Sequence, residues 1–321
     1  MRIADTHCDT LSFFVKEGVN AWHRERTQNN APHVNAKAAE TGGLALQVMA
    51  LFIAPVERGG DPATQYADLL RAYRAWLHAE PDIVNATPDT IAVIWQQGKL
   101  GTILSIEGGE CLEDDPSRVQ LVYDDGVRGI GLCWNGQNGL ASGISGDGGL
   151  TDVGRAVMGE MERLHMWVDA SHLNVRSFWD VARAATRPIM ASHSNCHALR
   201  QFARNLADDQ IRLLIEQKGY MGINLLPFFL ADPVPNEPET NHQVTLAHVI
   251  AHMRHVLDLG GEEILGLGAD LDGVGTLPHC FVGAESYPLL VEAMREAGFG
   301  EALAEKIAYH NWLRYWTDIT R

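Results

Sequence analysis

Five stretches of the chain hold residues able to bind a cation, and each closes a short apolar run. They are Asp5-Thr6-His7-Cys8-Asp9-Thr10, Ser105-Ile106-Glu107-Gly108-Gly109, Asp169-Ala170-Ser171-His172, Ala191-Ser192-His193-Ser194 and Gly268-Ala269-Asp270-Leu271-Asp272-Gly273. Neutral imidazole and carboxylate oxygen are the ligand types of zinc. Side chains two apart on a strand point to the same side, so His7 and Asp9 are expected to reach one ion together. Three histidines and two carboxylates exceed what one tetrahedral ion needs. They suit two zinc ions about 3.5 to 4 Å apart that share a bridging carboxylate and a bridging hydroxide. Glu107 is the natural bridge, because a carboxylate ending a buried run is costly unless something offsets its charge. Asp272, before Gly273, reads equally well as a loop or cap residue; Asp5 reads as a support and Cys8 as facing away.

Position gives these residues their weight, since a chain with 14 histidines places most of them elsewhere for other reasons. The elements that must deliver them are eight strand-like runs: Arg2 to Thr6, Ala45 to Ile53, Thr102 to Ile106, Val127 to Cys133, Trp167 to Ala170, Pro188 to Ala191, Tyr220 to Leu225 and Ile264 to Ala269. Most are continuously apolar rather than alternating, as strands of a parallel sheet covered on both faces are. Helical spacing lies between them. Thr151 caps a segment whose Val157, Met161, Leu164 and His165 share a face; another runs from Asp208 to a stop at Gly219; Thr245 to Leu259 and Glu301 to Trp316 are two more. Strands alternating with helices over 321 residues, against roughly 250 for the simplest example, predict an α/β fold of the (β/α)8 or TIM-barrel type in a single domain, 1–321. In that fold all the strand ends meet on one face, so five strands bring their polar residues to one small area. The Pro-rich stretch Asp232-Pro233-Val234-Pro235-Asn236-Glu237-Pro238 reads as a loop inside the domain.

Composition excludes several classes of function. A net charge of −16 without a basic cluster repels phosphate backbones and anionic lipid surfaces, so neither nucleic acid nor membrane is an expected partner. No apolar run reaches the roughly 18 residues of a spanning helix, and Met1-Arg2-Ile3-Ala4-Asp5 has acid where a signal peptide is apolar. Five scattered cysteines, 8, 111, 133, 196 and 280, suit free thiols in a reducing compartment. The expectation is a cytoplasmic protein. His248, His252 and His255 share a helix face but lack the Glu of HExxH, so they read as an exposed face. Gly126-Val127-Arg128-Gly129-Ile130-Gly131 reads as a turn, not a dinucleotide fingerprint, and Asp270-Leu271-Asp272-Gly273 lacks the later ligands of a calcium loop. No GxSxG elbow or GxxxxGK[ST] loop is present.

Taken in order, His7-Cys8-Asp9, Ile106-Glu107-Gly108-Gly109, Asp169-Ala170-Ser171-His172, Ser192-His193-Ser194, Arg204-Asn205-Leu206-Ala207-Asp208 and Gly268-Ala269-Asp270-Leu271-Asp272-Gly273 resemble the membrane (renal) dipeptidase family over nearly the whole chain. The resemblance implies a binuclear zinc hydrolase that cleaves dipeptides, L-Xaa-D-Xaa pairs included, through a metal-bridging hydroxide, and that is usually a homodimer. It puts His7 and Asp9 on one zinc, His172 and His193 on the other, and Glu107 between them. It also implies that Asp270 handles the proton and contacts the substrate amino group, while Arg204 holds the free carboxylate. A planar guanidinium fork suits a carboxylate, which accounts for a preference for dipeptides over longer chains.

The chain departs from the family in one loop. Mammalian members have a histidine after the fourth strand, where this chain reads Leu132-Cys133-Trp134-Asn135-Gly136, with Trp134 in its place. Trp134 and Asn135 are therefore expected to contact substrate, with Asn135 or a zinc ion stabilising the tetrahedral oxygen. Two alternatives stand beside this reading. One is another amide, ester or lactone hydrolase of the metal-dependent barrels, which commonly use His-x-His and a carboxylated lysine; His7-Cys8-Asp9 and Glu107 argue against both. The other is a non-catalytic metal-binding barrel.

Overall fold

The apolar runs form strands, and all eight expected ones are present. The structure, a computed structural model, describes residues 1–27, 30–232 and 243–321. Positions 233–238 of the Pro-rich stretch lie outside the described residues. The strands are β1 (Ile3–Cys8), β2 (Leu44–Phe52), β3 (Ile83–Asn85), β4 (Leu100–Glu107), β5 (Val127–Gly131), β6 (Trp167–Asp169), β7 (Met190–Ala191), β8 (Tyr220–Ile223) and β9 (Leu265–Leu267). Every pairing is parallel, and the ring closes through β9 with β1 and β2 with β4. The short β3, which the sequence reading did not foresee, lies against the start of β4 ahead of β5 and stays outside the ring. The result is a closed eight-stranded parallel barrel wrapped by helices.

The lower half of the barrel shows why closure needs these residues. Trp167 and Tyr220 are fully buried, and the neighbouring strands offer Gly129 and Gly266, where a Cβ would lie 1.8 Å from the Trp167 ring and 2.1 Å from the Tyr220 hydroxyl. Large side chains thus alternate with glycines around the interior, as a small barrel requires. Underneath, Trp312, Tyr315 and Trp316 of the C-terminal helix plug the bottom, with Trp312 edge-on to both Trp167 and Tyr220 at 5.3 Å. The chemistry is left to the upper face.

Helix ends follow their caps. Thr151 accepts from the Gly154 amide at 2.9 Å and starts Asp152–Arg163, which buries Val157 and Met161. That helix ends before the expected face is complete: Leu164 is its C-cap, and His165 has a φ of 57° and has left it. Asn174 caps Val175–Ala184, whose Phe178 and Val181, three apart, are fully buried; truncating such a Phe to Ala costs about 3 to 5 kcal/mol. Asp208–Glu216 turns at Lys218, with φ 56°, one residue before the expected Gly219. Gly126-Val127-Arg128-Gly129-Ile130-Gly131 needs a correction: only Gly126, at φ 108°, is turn, and Val127 onward is β5 itself.

The histidine face of Leu246–Asp258 is also not what its spacing suggested. His252 is buried, accepting from the Cys196 amide at 3.0 Å and reaching the Leu230 carbonyl at 3.0 Å. His255 pairs with Asp208 at 2.7 Å, and His248 joins the cap at Thr245. His252 and His255 tie the helix to its neighbours and His248 closes its own cap, because the loops after β7 and β8 pack over the middle of that face.

Candidate active site

His7 points into the barrel mouth, but the same-side argument for Asp9 needs amending. The β1–β2 register shifts between Asp5 and Cys8, and Asp9 lies past the strand, at the N-cap of Thr10–Glu17. That bulge-like irregularity re-aims the chain, and the two side chains still converge: His7 Nε2 is 3.4 Å from Asp9 Oδ2. Asp5 has no capacity to spare. It accepts from the amides of His7 and Ala269, from Gln47 and from the Tyr287 hydroxyl at 2.7 to 3.0 Å. Cys8 turns away toward Met49.

Glu107 ends β4 at the centre of the cluster. Its Oε1 is 2.7 Å from His172 Nε2 and 3.7 Å from His193 Nε2, while Oε2 is 3.4 Å from His7 Nε2. Behind it the chain turns at Gly108, φ 95°, where a Cβ would meet the Ile53 carbonyl at 2.8 Å. His172 and His193 follow β6 and β7 and face each other through their Nε2 atoms at 2.9 Å. Their Nδ1 atoms are engaged behind, His172 with Asn135 Oδ1 at 2.9 Å and His193 with Ser192 Oγ at 2.6 Å. Ser192 in turn bonds Asp169, which also accepts from the Ser171 amide and hydroxyl at 3.0 and 2.7 Å. Such partners hold an imidazole with its other nitrogen free for a metal.

A metal fits these residues. Glu107, His172 and His193 form one set with ligand atoms within 4.8 Å of each other; His7, Asp9 and Glu107 form a second, so Glu107 is common to both. A third set, His7, Asp169 and His193, draws on a carboxylate already engaged by the two serines. Buried His7 Nε2 and Asp9 Oδ1 make no hydrogen bond, although burial without a partner is costly. Burial and the nearby Arg204 cation push His172 down to about 4, and burial with His7 puts His193 well below its ordinary range, so both stay neutral as ligands must. Burial works the same way on His7, but the Glu107 and Asp9 carboxylates outweigh it and hold His7 well above its ordinary value. Asp9 is pushed up to about 7 by burial and by the charge on Glu107. Positive charge belongs between these carboxylates, and a proton on His7 supplies it when no metal does.

Asp270, at φ 62°, turns back over the cluster with Oδ1 3.9 Å from His7 Nε2, and Asn224 donates to its Oδ2 at 2.9 Å. Gly273 passes so close that a Cβ would lie 2.2 Å from Asp9 and 2.4 Å from Asp270. Asp272 fastens the loop: it accepts from Thr10 at 2.6 Å and from the amides of His33 and Val34 at 2.5 and 3.3 Å. Arg204 is buried under Phe229 and donates to the Ser171 and His193 carbonyls, with Nη2 3.2 Å from His172 Nε2; it pairs with no carboxylate among the described residues. Trp134 stands 6.0 Å from His172, ring to ring, and 5.4 Å from Phe52. Sequence reasoning missed the roles of Asn224, Ser192 and Asp169, which mark themselves only through these contacts.

A cavity of about 560 Å³ opens over the cluster, with Glu107, His172, Arg204 and Asp270 at its floor and Phe52, Trp134, Leu226 and Phe229 around it. A depression of about 640 Å³ lies at the opposite end, beside the starts of β2 and β4. There His23 pairs with Glu80 at 2.7 Å and Lys37 with Glu40 at 2.8 Å, and among the described residues His23 is the one histidine of its lining.

A (β/α)8 barrel whose strand ends converge histidines and carboxylates in a concave, part-apolar pocket defines a metal-dependent hydrolase. The family model of the membrane dipeptidases (peptidase family M19) matches residues 1–321, and the chain belongs to that family: it is a metallo-dipeptidase. A solved dipeptidase AC, a metallopeptidase of family M19, is 26% identical with a TM-score of 0.90, covering 99% of this chain and 98% of its own. A Rhodobacter sphaeroides metallopeptidase, solved with a phosphinate mimic of the dipeptide L-Ala-D-Ala, shares the fold at 24% identity and a TM-score of 0.88, covering 99% of each chain. An uncharacterised protein from the region 5′ of pqqA in Klebsiella pneumoniae is 33% identical over 223 residues, 67% of this chain and 80% of that protein.

Proposed function

We propose that the chain is a binuclear zinc dipeptidase in which His7, Asp9 and Glu107 would hold one ion and His172, His193 and Glu107 the other. The observation that carries this reading is the division of Glu107, one oxygen toward His172 and His193 and the other toward His7. When bound, the metal pair supplies Lewis acidity that makes water a nucleophile near neutral pH and polarises the scissile carbonyl.

The protein's own groups do the rest. Arg204 holds the substrate α-carboxylate through its guanidinium fork, which sets the length of the substrate at two residues. Asp270 meets the substrate amino group, takes a proton from the attacking water and delivers it to the departing amine. Asn224 keeps that carboxylate aimed. Asn135 holds the His172 ring, and its remaining amide donors and Trp134 line the way in. The one barrel unit spans 1–321, an assignment supported by helix Asn311–Ile319 plugging the barrel that β1 begins. Free cysteines support a reducing compartment, the cytoplasm, and the homodimer rests on the family pattern. Among the described residues no helix is long and apolar enough to cross a membrane.

The test is hydrolysis of a library of L-Xaa-L-Xaa and L-Xaa-D-Xaa dipeptides by zinc-loaded protein against a chelated control. Chelator-sensitive cleavage is the expected result; the L-Ala-D-Ala mimic carried by the Rhodobacter relative makes the L,D series the first to try. Two metals bound with no dipeptide cleaved would overturn the reading in favour of another amide or lactone substrate.

A further inference from the structure

One cation in the cavity wall has no work in the reaction. Arg58 lies in the short helix Val56–Gly59 that follows β2, is exposed, and lines the cavity over the cluster. Its guanidinium carbon sits 5.4 Å from the centre of the Trp134 ring, which stands 6.0 Å from His172. Among the described residues it meets no carboxylate in an ion pair, in a chain where 41 acidic residues outnumber 25 basic ones. The other cation of the cavity, Arg204, is buried beside His172, where a dipeptide's α-carboxylate would end. Phe52, Ala54 and Trp134 line the same cavity, and Arg58 and Arg204 are its Lys or Arg residues among the described ones.

A guanidinium lying over an aromatic face keeps its N–H donors available to an anion, and Arg58 lies so over Trp134 in the wall of the cavity. A second anion, one side chain's length from the dipeptide backbone, is what such a group recognises. We propose that Arg58 is a specificity-determining residue that receives the side-chain carboxylate of an acidic dipeptide, so that substrates containing Asp or Glu are preferred. The inference rests on the placement of the dipeptide under Proposed function.

The test compares kcat/KM for Glu-Ala with Gln-Ala, and for Ala-Glu with Ala-Gln, in L,L and L,D forms, using zinc-loaded wild type and R58A, R58K and R58E. The Glu-over-Gln ratio cancels any general damage to the fold, which would slow both members alike. Expected is a ratio of about ten or more at one of the two positions in the wild type, expressed mainly in KM. That ratio should fall to about one in R58A, survive largely in R58K and drop below one in R58E. A wild-type ratio near one at both positions overturns the inference while leaving the dipeptidase reading intact, as does a ratio that R58A leaves unaltered. Failure to cleave the four sequences while other dipeptides of the library are cleaved overturns the inference alone.

Discussion

Asn224 donates its side-chain amide to Asp270 Oδ2 at 2.9 Å, joining the end of β8 to the loop after β9 and leaving Oδ1 toward His7. A carboxylate that must shuttle a proton needs one oxygen fixed and the other free. Asp270→Asn is therefore expected to abolish turnover with metal content near two per chain. Asn224→Ala should lower kcat about 10- to 100-fold with metal content likewise retained. Steady-state kinetics beside metal analysis checks both, and normal turnover by Asp270→Asn would remove Asp270 from the mechanism.

Glu107 touches both ligand sets, whereas Asp9 belongs to one. Glu107→Gln should weaken both metals, leaving less than one per chain after dialysis and at least about a thousandfold lower kcat, on the scale set by losing the metal's Lewis acidity. Asp9→Asn should lose one metal and keep the other. Equal stoichiometry in the two variants would show that Glu107 is not shared.

Arg204 is buried without a carboxylate partner among the described residues, a costly placement that an arriving anion would offset. Arg204→Lys keeps the charge and removes the fork. Comparing each dipeptide with its C-terminal amide, the free-acid preference should fall about 100-fold in the variant, mainly through KM. A preference unchanged by the substitution would assign the carboxylate to another group.

Protonation of His7 gives the metal a competitor. Because Glu107 and Asp9 hold its pKa well above the ordinary value against the effect of burial, the metal-free protein keeps that proton through neutral pH. Metal must displace it, together with the Asp9 proton below about pH 7, so zinc affinity should rise with pH, about tenfold per unit for each proton released. Calorimetry in buffers of different ionisation enthalpy measures the protons expelled. A pH-independent affinity would mean that His7 is already neutral.

The convergence of the candidate ligands was legible because most of them close an apolar run, and a run of that kind must become a buried strand wherever it lies in the chain. His7, Glu107, His172 and His193 could be picked from the sequence on that ground, and the Thr151 cap from the chemistry of one hydroxyl. Where local spacing was the only guide it misled. It made an exposed face of His248, His252 and His255, and it put Asp9 on a strand that ends at Cys8.

By itself the sequence determined which residue types close which strands, and so the barrel and the identity of its polar rim. The tertiary structure alone decided how that rim is held: Asn224 on Asp270, Asn135 on His172, Ser192 and Asp169 behind His193, and Arg58 over Trp134. The physical reason is range. Strand formation follows from burial patterns a few residues long, whereas each of these contacts joins different strand ends or loops and depends on the direction of a single side chain, which closure of the ring sets and no local period encodes.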